Sequence, residues 1–158
     1  MHKILFYLLQ VIKLFTDIVF SSRVRISGSS MEPSMFDGDM VLATKSKYRM
    51  IDLKNDDVIF FHHPLTNLDY VKRIVATPKD VVKLSYNAFL INDVDYVKVS
   101  LSDKDDTSIV QEWTLKEDEY FVLGDNYNNS TDSRVLGPIN AQWILGIIWY
   151  QYYSVKNR

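Results

Sequence analysis

The chain has 158 residues, enough for one domain with its own core and too few for two of ordinary size. Its 18 basic and 20 acidic residues leave a formal net charge of -2, so no global positive field favours nucleic acid, and the lack of cysteine excludes disulfides, thiol nucleophiles and thiolate metal sites. Aromatic residues reach 13 %, 10 of them tyrosines counted among 158 positions, while glycine is scarce, a balance suited to a β-rich body with an interfacial surface.

Ile4 to Phe20 is apolar except at Gln10, Lys13, Thr16 and Asp17, with no glycine or proline to break a helix. Such a helix rises about 25 Å, just short of the roughly 30 Å hydrocarbon core, a shortfall that flanking and snorkelling residues offset. Gln10, Lys13 and Asp17 fall on one stripe, which suits either an interfacial helix or a span facing a partner. A core helix and a cleaved leader are the rivals. With only Lys3 before the apolar run and two charges inside it, the expectation is an uncleaved membrane anchor over residues 1–22. Arg23 and Arg25 after the helix outnumber Lys3 before it, so charge bias alone points the orientation the other way.

Residues 23–158 read as one domain. Val24-Arg25-Ile26 alternates as a short strand and feeds Gly28-Ser29-Ser30-Met31-Glu32-Pro33-Ser34-Met35, where Gly28 frees the backbone and Pro33 stiffens the exit. A serine held there is a candidate nucleophile if a base reaches it. His2, His62 and His63 are badly placed for that role; the histidine pair has no carboxylate at ligand spacing and reads as surface. Met31, Pro33, Met35 and Phe36 put apolar surface beside the hydroxyl, either as core or against substrate and lipid. Asp37-Gly38-Asp39 is a turn before the strand Met40 to Ala43, and Thr44 to Asp56 a polar loop.

Asp57 to Phe61 reads as a buried strand, and Tyr70 to Val75 as another that carries Lys72. If the Lys72 face is buried, its ammonium loses hydration and its pKa falls toward neutrality, which makes the amine a candidate general base. Strands at Val81 to Leu84, Ala88 to Ile91 and Tyr96 to Leu101, with turns at Ser85-Tyr86-Asn87 and Asn92-Asp93 and a charged turn at Lys104 to Thr107, form a small β insert around residues 79–118. Glu119 to Leu123 is a strand that Gly124-Asp125-Asn126 breaks, and Tyr127 to Arg134 is an Asn/Ser/Asp-rich loop. Trp143 to Tyr150 closes the domain as a strand.

Three of these stretches carry a resemblance: Ser30-Met31-Glu32-Pro33-Ser34, Tyr70-Val71-Lys72-Arg73-Ile74-Val75, and Gly124-Asp125-Asn126 through Ser130-Thr131-Asp132-Ser133-Arg134. In order and spacing they resemble the nucleophile box, lysine box and final signature of the type I signal peptidases, the membrane-anchored serine-lysine leader peptidases. The resemblance implies a mainly β, signal-peptidase-like or LexA-like barrel-type domain behind one N-terminal hydrophobic helix. It implies endoproteolytic removal of signal peptides by Ser30 with Lys72 as base, with no cofactor and no metal. Ser130 is expected to bond and orient Lys72, and Asp132 and Arg134 to pair and brace the wall. Gly124, Asp125 and Asn126 support that wall. The Ser30 backbone N–H serves the oxyanion; Gly28 stands where some members place a second donor, and Ser27 and Ser29 beside it are the alternatives left open.

The implied partners are preprotein signal peptides with small residues one and three positions before the cut, the lipid bilayer and the export machinery. The implied location is single-pass, on the outer face of a bacterial cytoplasmic membrane, with the mitochondrial inner membrane as the rival. Ala76 and Lys79 stand where glycines are common in the family, and Tyr127 where arginine is. A self-cleaving repressor needs a DNA-binding head that an apolar helix does not supply. A conjugative or mitochondrial maturation peptidase of the same clan, and a membrane-anchored binding domain that does not cut, remain as alternatives.

Overall fold

The computed structural model describes residues 2–19, 21–45, 53–85, 89–97 and 109–155. The elements in order are α1 (His2–Val19), β1 (Ser21–Arg25), β2 (Met40–Lys45), β3 (Val58–His63), β4 (Leu68–Ala76), β5 (Val81–Ser85), β6 (Phe89–Ile91), β7 (Val94–Val97), β8 (Ile109–Thr114), β9 (Glu119–Leu123), α2 (Ser133–Leu136), β10 (Ile139–Asn140) and β11 (Ile144–Tyr153). The turn expected at Ser85-Tyr86-Asn87 lies in part, and the one at Lys104 to Thr107 wholly, outside the described residues, as does the far end of the strand expected at Tyr96 to Leu101.

Seven strands form the main sheet in the order β1-β2-β11-β3-β4-β9-β10, and the insert forms a second sheet, β7-β6-β5-β8. The expected barrel is therefore corrected. Among the described residues β1 and β10 end the main sheet without pairing to each other, so it stays open. The insert sheet stands over one end of it, where Val75 and Ala76 of β4 and Phe121 and Leu123 of β9 pack against Val82 and Phe89. A second apolar layer joins Ile59, Phe61, Ile74 and Val122, and a third sits under the serine loop. β11, the last strand in the chain, lies between β2 and β3 and is antiparallel to both.

α1 matches its apolar run, and its residues Ile4 to Leu9 are more than half exposed, which removes the reading as a core helix. Among the described residues no helix is long and apolar enough to cross a membrane. The eighteen residues of α1, about 27 Å long, carry three charges in sequence, Lys3, Lys13 and Asp17, more than an apolar span of that length tolerates.

His63, expected at the surface, is buried, its ring edge-on to Trp143 and Tyr70. His62 does have a carboxylate partner, Asp69, directly opposite it across the β3–β4 pair. Alternation along β3 puts His63 on the same inward face as Ile59 and Phe61 and turns His62 the other way.

The turn from β4 into the insert holds Lys79 at φ 76°, a left-handed conformation natural to the glycine expected there. Among the described residues its side chain reaches Glu117, at 3.2 Å, and both are well exposed, so little is lost with it. Lys79→Gly is expected to stabilise the fold by about 0.5–1 kcal/mol, a rise of about 2–3 °C in Tm by thermal denaturation; an unchanged or lower Tm refutes the strain.

Candidate active site

The loop that carries Ser30 is closed at its base by Ile26 and the Gly38-Asp39 turn: Ile26 N donates to Asp39 O at 2.8 Å and Gly38 N to Ile26 O at 2.9 Å. Gly28 adopts φ 81°, and its N–H donates to the Asp37 carboxylate at 2.8 Å. The Gly28 amide is thus engaged inside the loop and is not presented as an oxyanion donor. Beyond Ser30 the chain makes a helical turn, Met35 N to Met31 O at 2.9 Å. That turn drives Met31 and Met35 inward onto Ile26, Val41 and Val58. Both methionines are core residues, the first of the two readings left open for them; Met31 also edges the groove described below. Pro33 is exposed and Phe36 half-buried.

Lys72 comes from the middle of β4, opposite Ile59 of β3, and is 2 % exposed. Its Nζ is 2.6 Å from Ser30 Oγ and 3.0 Å from Val71 O. Burial pulls its pKa from 10.5 down to about 8, against the opposing pull of the Asp132 and Asp125 carboxylates. Each of those carboxylates belongs to an arginine. Asp125 accepts from Arg73 Nε at 2.9 Å and Nη2 at 2.7 Å, and Asp132 from Arg134 Nε and Nη2, both at 2.9 Å. The expected Asp132–Arg134 pair is therefore present, with Arg134 also donating to Tyr127 O.

The signature loop clamps the serine loop from the side. Asn126 N donates to Ser30 O at 3.0 Å, Asn126 Nδ2 to Ser29 O at 3.1 Å and Asn129 Nδ2 to Ser29 Oγ at 2.8 Å. Asp132 caps α2 and also accepts from Gly124 N at 3.1 Å, while Ser133 Oγ accepts from Val122 N at 3.0 Å. Ser130 differs from expectation: its hydroxyl is buried and, among the described residues, bonds nothing, Lys72 included. Gly124 lets it sit there, since a Cβ at that position runs into Ser130 Oγ and the Ser30 carbonyl.

Sequence reasoning missed two supports. Asp39, read as a turn residue, is fully buried and accepts from Phe36 N and Val155 N, both at 2.8 Å, and from Gln151 Nε2. Burial raises its pKa and these bonds lower it, with a net fall below the usual carboxylate value. It ties the serine loop to the last strand. α2, the other, was read as loop; its signal was Asp132 followed by Ser133, a helix-capping order.

Ser30 and Lys72 open onto a groove of about 970 Å³, with residues 22–31 on one side, 68–72 on the other and 128–131 at one end. β1 pairs only with β2, and β4 pairs with β9 only from Arg73 on, so both walls present strand edges. A half-buried hydroxyl, an amine poised near neutrality and a cleft edged by open strands suit acyl transfer on an extended peptide.

Residues 1–153 match the sequence model of the family described as signal peptidase, peptidase S26. Signal peptidase IB of Staphylococcus aureus is 30% identical over 145 residues, 81% of this chain and 75% of that protein. Signal peptidase I P of Bacillus subtilis subsp. natto is 28% identical over 132 residues, 77% of this chain and 71% of that one. A crystal structure of a signal peptidase I from Enterococcus faecalis superposes at a TM-score of 0.48 with 24% identity, over 63% of this chain and 98% of that chain. The chain belongs to the signal peptidase family, peptidase S26. It is a serine endopeptidase of the signal peptidase I type.

Two outcomes follow from this geometry. Because the folded pKa of Lys72 lies below 10.5, the buried ammonium destabilises the fold fully below pH 8, and that burden lifts as pH rises from 8 to 10.5. Lys72→Met is expected to raise stability by roughly 2–3 kcal/mol at pH 7 and to flatten the rise between pH 8 and 10.5; urea unfolding across that range reads it, and a less stable variant refutes the burden. Gly124→Ala is expected to lower stability by roughly 1–3 kcal/mol and activity by about tenfold or more, through displacement of the Ser30 carbonyl and Ser130.

Proposed function

We propose that this peptidase removes N-terminal signal peptides from exported preproteins with Ser30 as nucleophile and Lys72 as general base. The observation that carries the reading is the 2.6 Å contact between Lys72 Nζ and Ser30 Oγ inside a wall that excludes water from the amine. In the neutral amine, Nζ takes the proton of the Oγ–H as Oγ attacks the scissile carbonyl. The ammonium then returns that proton to the leaving amine, and water attacks the acyl-enzyme by the same relay. The Ser30 amide is the donor nearest the developing oxyanion. With a pKa of about 8, about a tenth of the lysine is neutral at pH 7.

The groove supports a substrate bound extended against β1, and family resemblance supplies the small residues one and three positions before the cut. The exposed apolar surface of α1 supports anchoring at a lipid bilayer, which places the groove where a leader's apolar segment lies. The bacterial relatives favour the outer face of a cytoplasmic membrane over an organelle.

Ser30→Ala and Lys72→Ala are each expected to cut a preprotein at least roughly 10³-fold more slowly while staying folded. Lys72→Arg should not restore the rate, because a guanidinium does not give up its proton. The wild-type kcat/KM should rise tenfold per pH unit below about 8 and level off above it. Cleavage that survives in either alanine variant, or a rate independent of pH from 6 to 9 on this roughly one-pKa scheme, overturns the pair.

A further inference from the structure

β1 is the outer strand of the main sheet and, among the described residues, leaves one edge open. Its alternation turns Val24, and Ile26 just past its end, toward the core, and puts Arg23 and Arg25 on the outer face. Both arginines are exposed and both line the groove that holds Ser30 and Lys72. No hydrogen bond or ion pair joins either guanidinium to another described residue, whereas Arg73 and Arg134 each hold a carboxylate. The facing wall carries one acidic side chain, Asp69, and its carboxylate is already bonded to His62 Nδ1 at 2.7 Å. Arg23 and Arg25 are thus two guanidiniums on the groove with no carboxylate partner among the described residues.

A peptide strand added to the edge of β1 alternates as β1 does. With its small residues one and three before the cut turned into the groove, the residues two and four before it stand on the outer face, beside the arginines. Opposite charges that are cross-strand neighbours attract and like charges repel, and an unpaired guanidinium gives up no partner to take part. We propose that Arg23 and Arg25 select substrates by charge, favouring acidic and disfavouring basic residues two and four positions before the cleaved bond. This rests on the reading of Ser30 and Lys72 given above. Anionic lipid headgroups are the competing occupant, since α1 ends close by; the position of both arginines on the groove wall favours the peptide.

The test uses the full chain in neutral detergent and peptides with alanine one and three before the cut that differ only two before it, as Glu, Gln or Lys. Affinity is read by fluorescence anisotropy on Ser30→Ala, and cutting on the chain with Ser30 intact. A Glu-over-Lys preference of about tenfold at low salt is expected, shrinking as salt rises. It should collapse to within about twofold in Arg23→Gln/Arg25→Gln and invert in Arg25→Glu, an inversion that a merely disturbed fold does not produce. An equal ratio with and without the arginines overturns the inference. Loss of co-sedimentation with phosphatidylglycerol vesicles in the double variant, with the peptide ratio unchanged, also overturns it and gives the arginines to lipid. Charge-dependent binding with no cutting by any form sinks the Ser30–Lys72 reading and leaves the charge preference standing. Cutting that needs Ser30 but ignores peptide charge does the reverse.

Discussion

Lys72 is kept out of water with two carboxylates nearby, and the rest of the site is arranged so that neither holds the proton on its amine. Had Asp125 or Asp132 bonded the amine directly, the charged form would be held and no base would remain. Arg73 occupies one carboxylate and Arg134 the other, so their influence on Lys72 is only long-range, and burial outweighs it. What is left to the amine is a backbone carbonyl and the Ser30 hydroxyl. The two ion pairs are therefore less a source of stability than a way to keep negative charge from the lysine.

The serine is positioned by a different device. Its loop leaves the main sheet and returns to it within one hairpin, pinned from beneath by two methionines and from the side by Asn126 and Asn129. Ser130 fills the remaining corner with a hydroxyl that bonds no described residue. Gly124 makes the close approach of these parts sterically allowed, so backbone, rather than side chain, sets the closest packing in the site.

Strand positions were legible because β-branched runs and turn residues alternate plainly, whereas Ser30 and Lys72 stood out through the resemblance of their motifs to a known family, since a strand lysine by itself more often reaches solvent. The capping Asp132 was legible as a partner of Arg134 and not as the start of α2, since a four-residue helix has no period to read. Asp39 was invisible because its partners come from Gln151 and Val155, far along the chain. The inward turn of His63 was missed for a related reason: which member of a pair faces the core depends on register with β4 and β11. The closure expected of a barrel likewise depends on whether the two outermost strands meet, which no local pattern encodes.

β11 lies between the hairpin that carries Ser30 and the hairpin that carries Lys72, yet it is the last strand of the chain. During synthesis the hydroxyl and the amine are thus made early and held apart, on two ribbons with no shared edge. They meet only when the final strand slots between them and its end reaches Asp39. A chain clipped before β11 carries both side chains but lacks the strand that joins their hairpins, so the order of translation sets that join after both have been made.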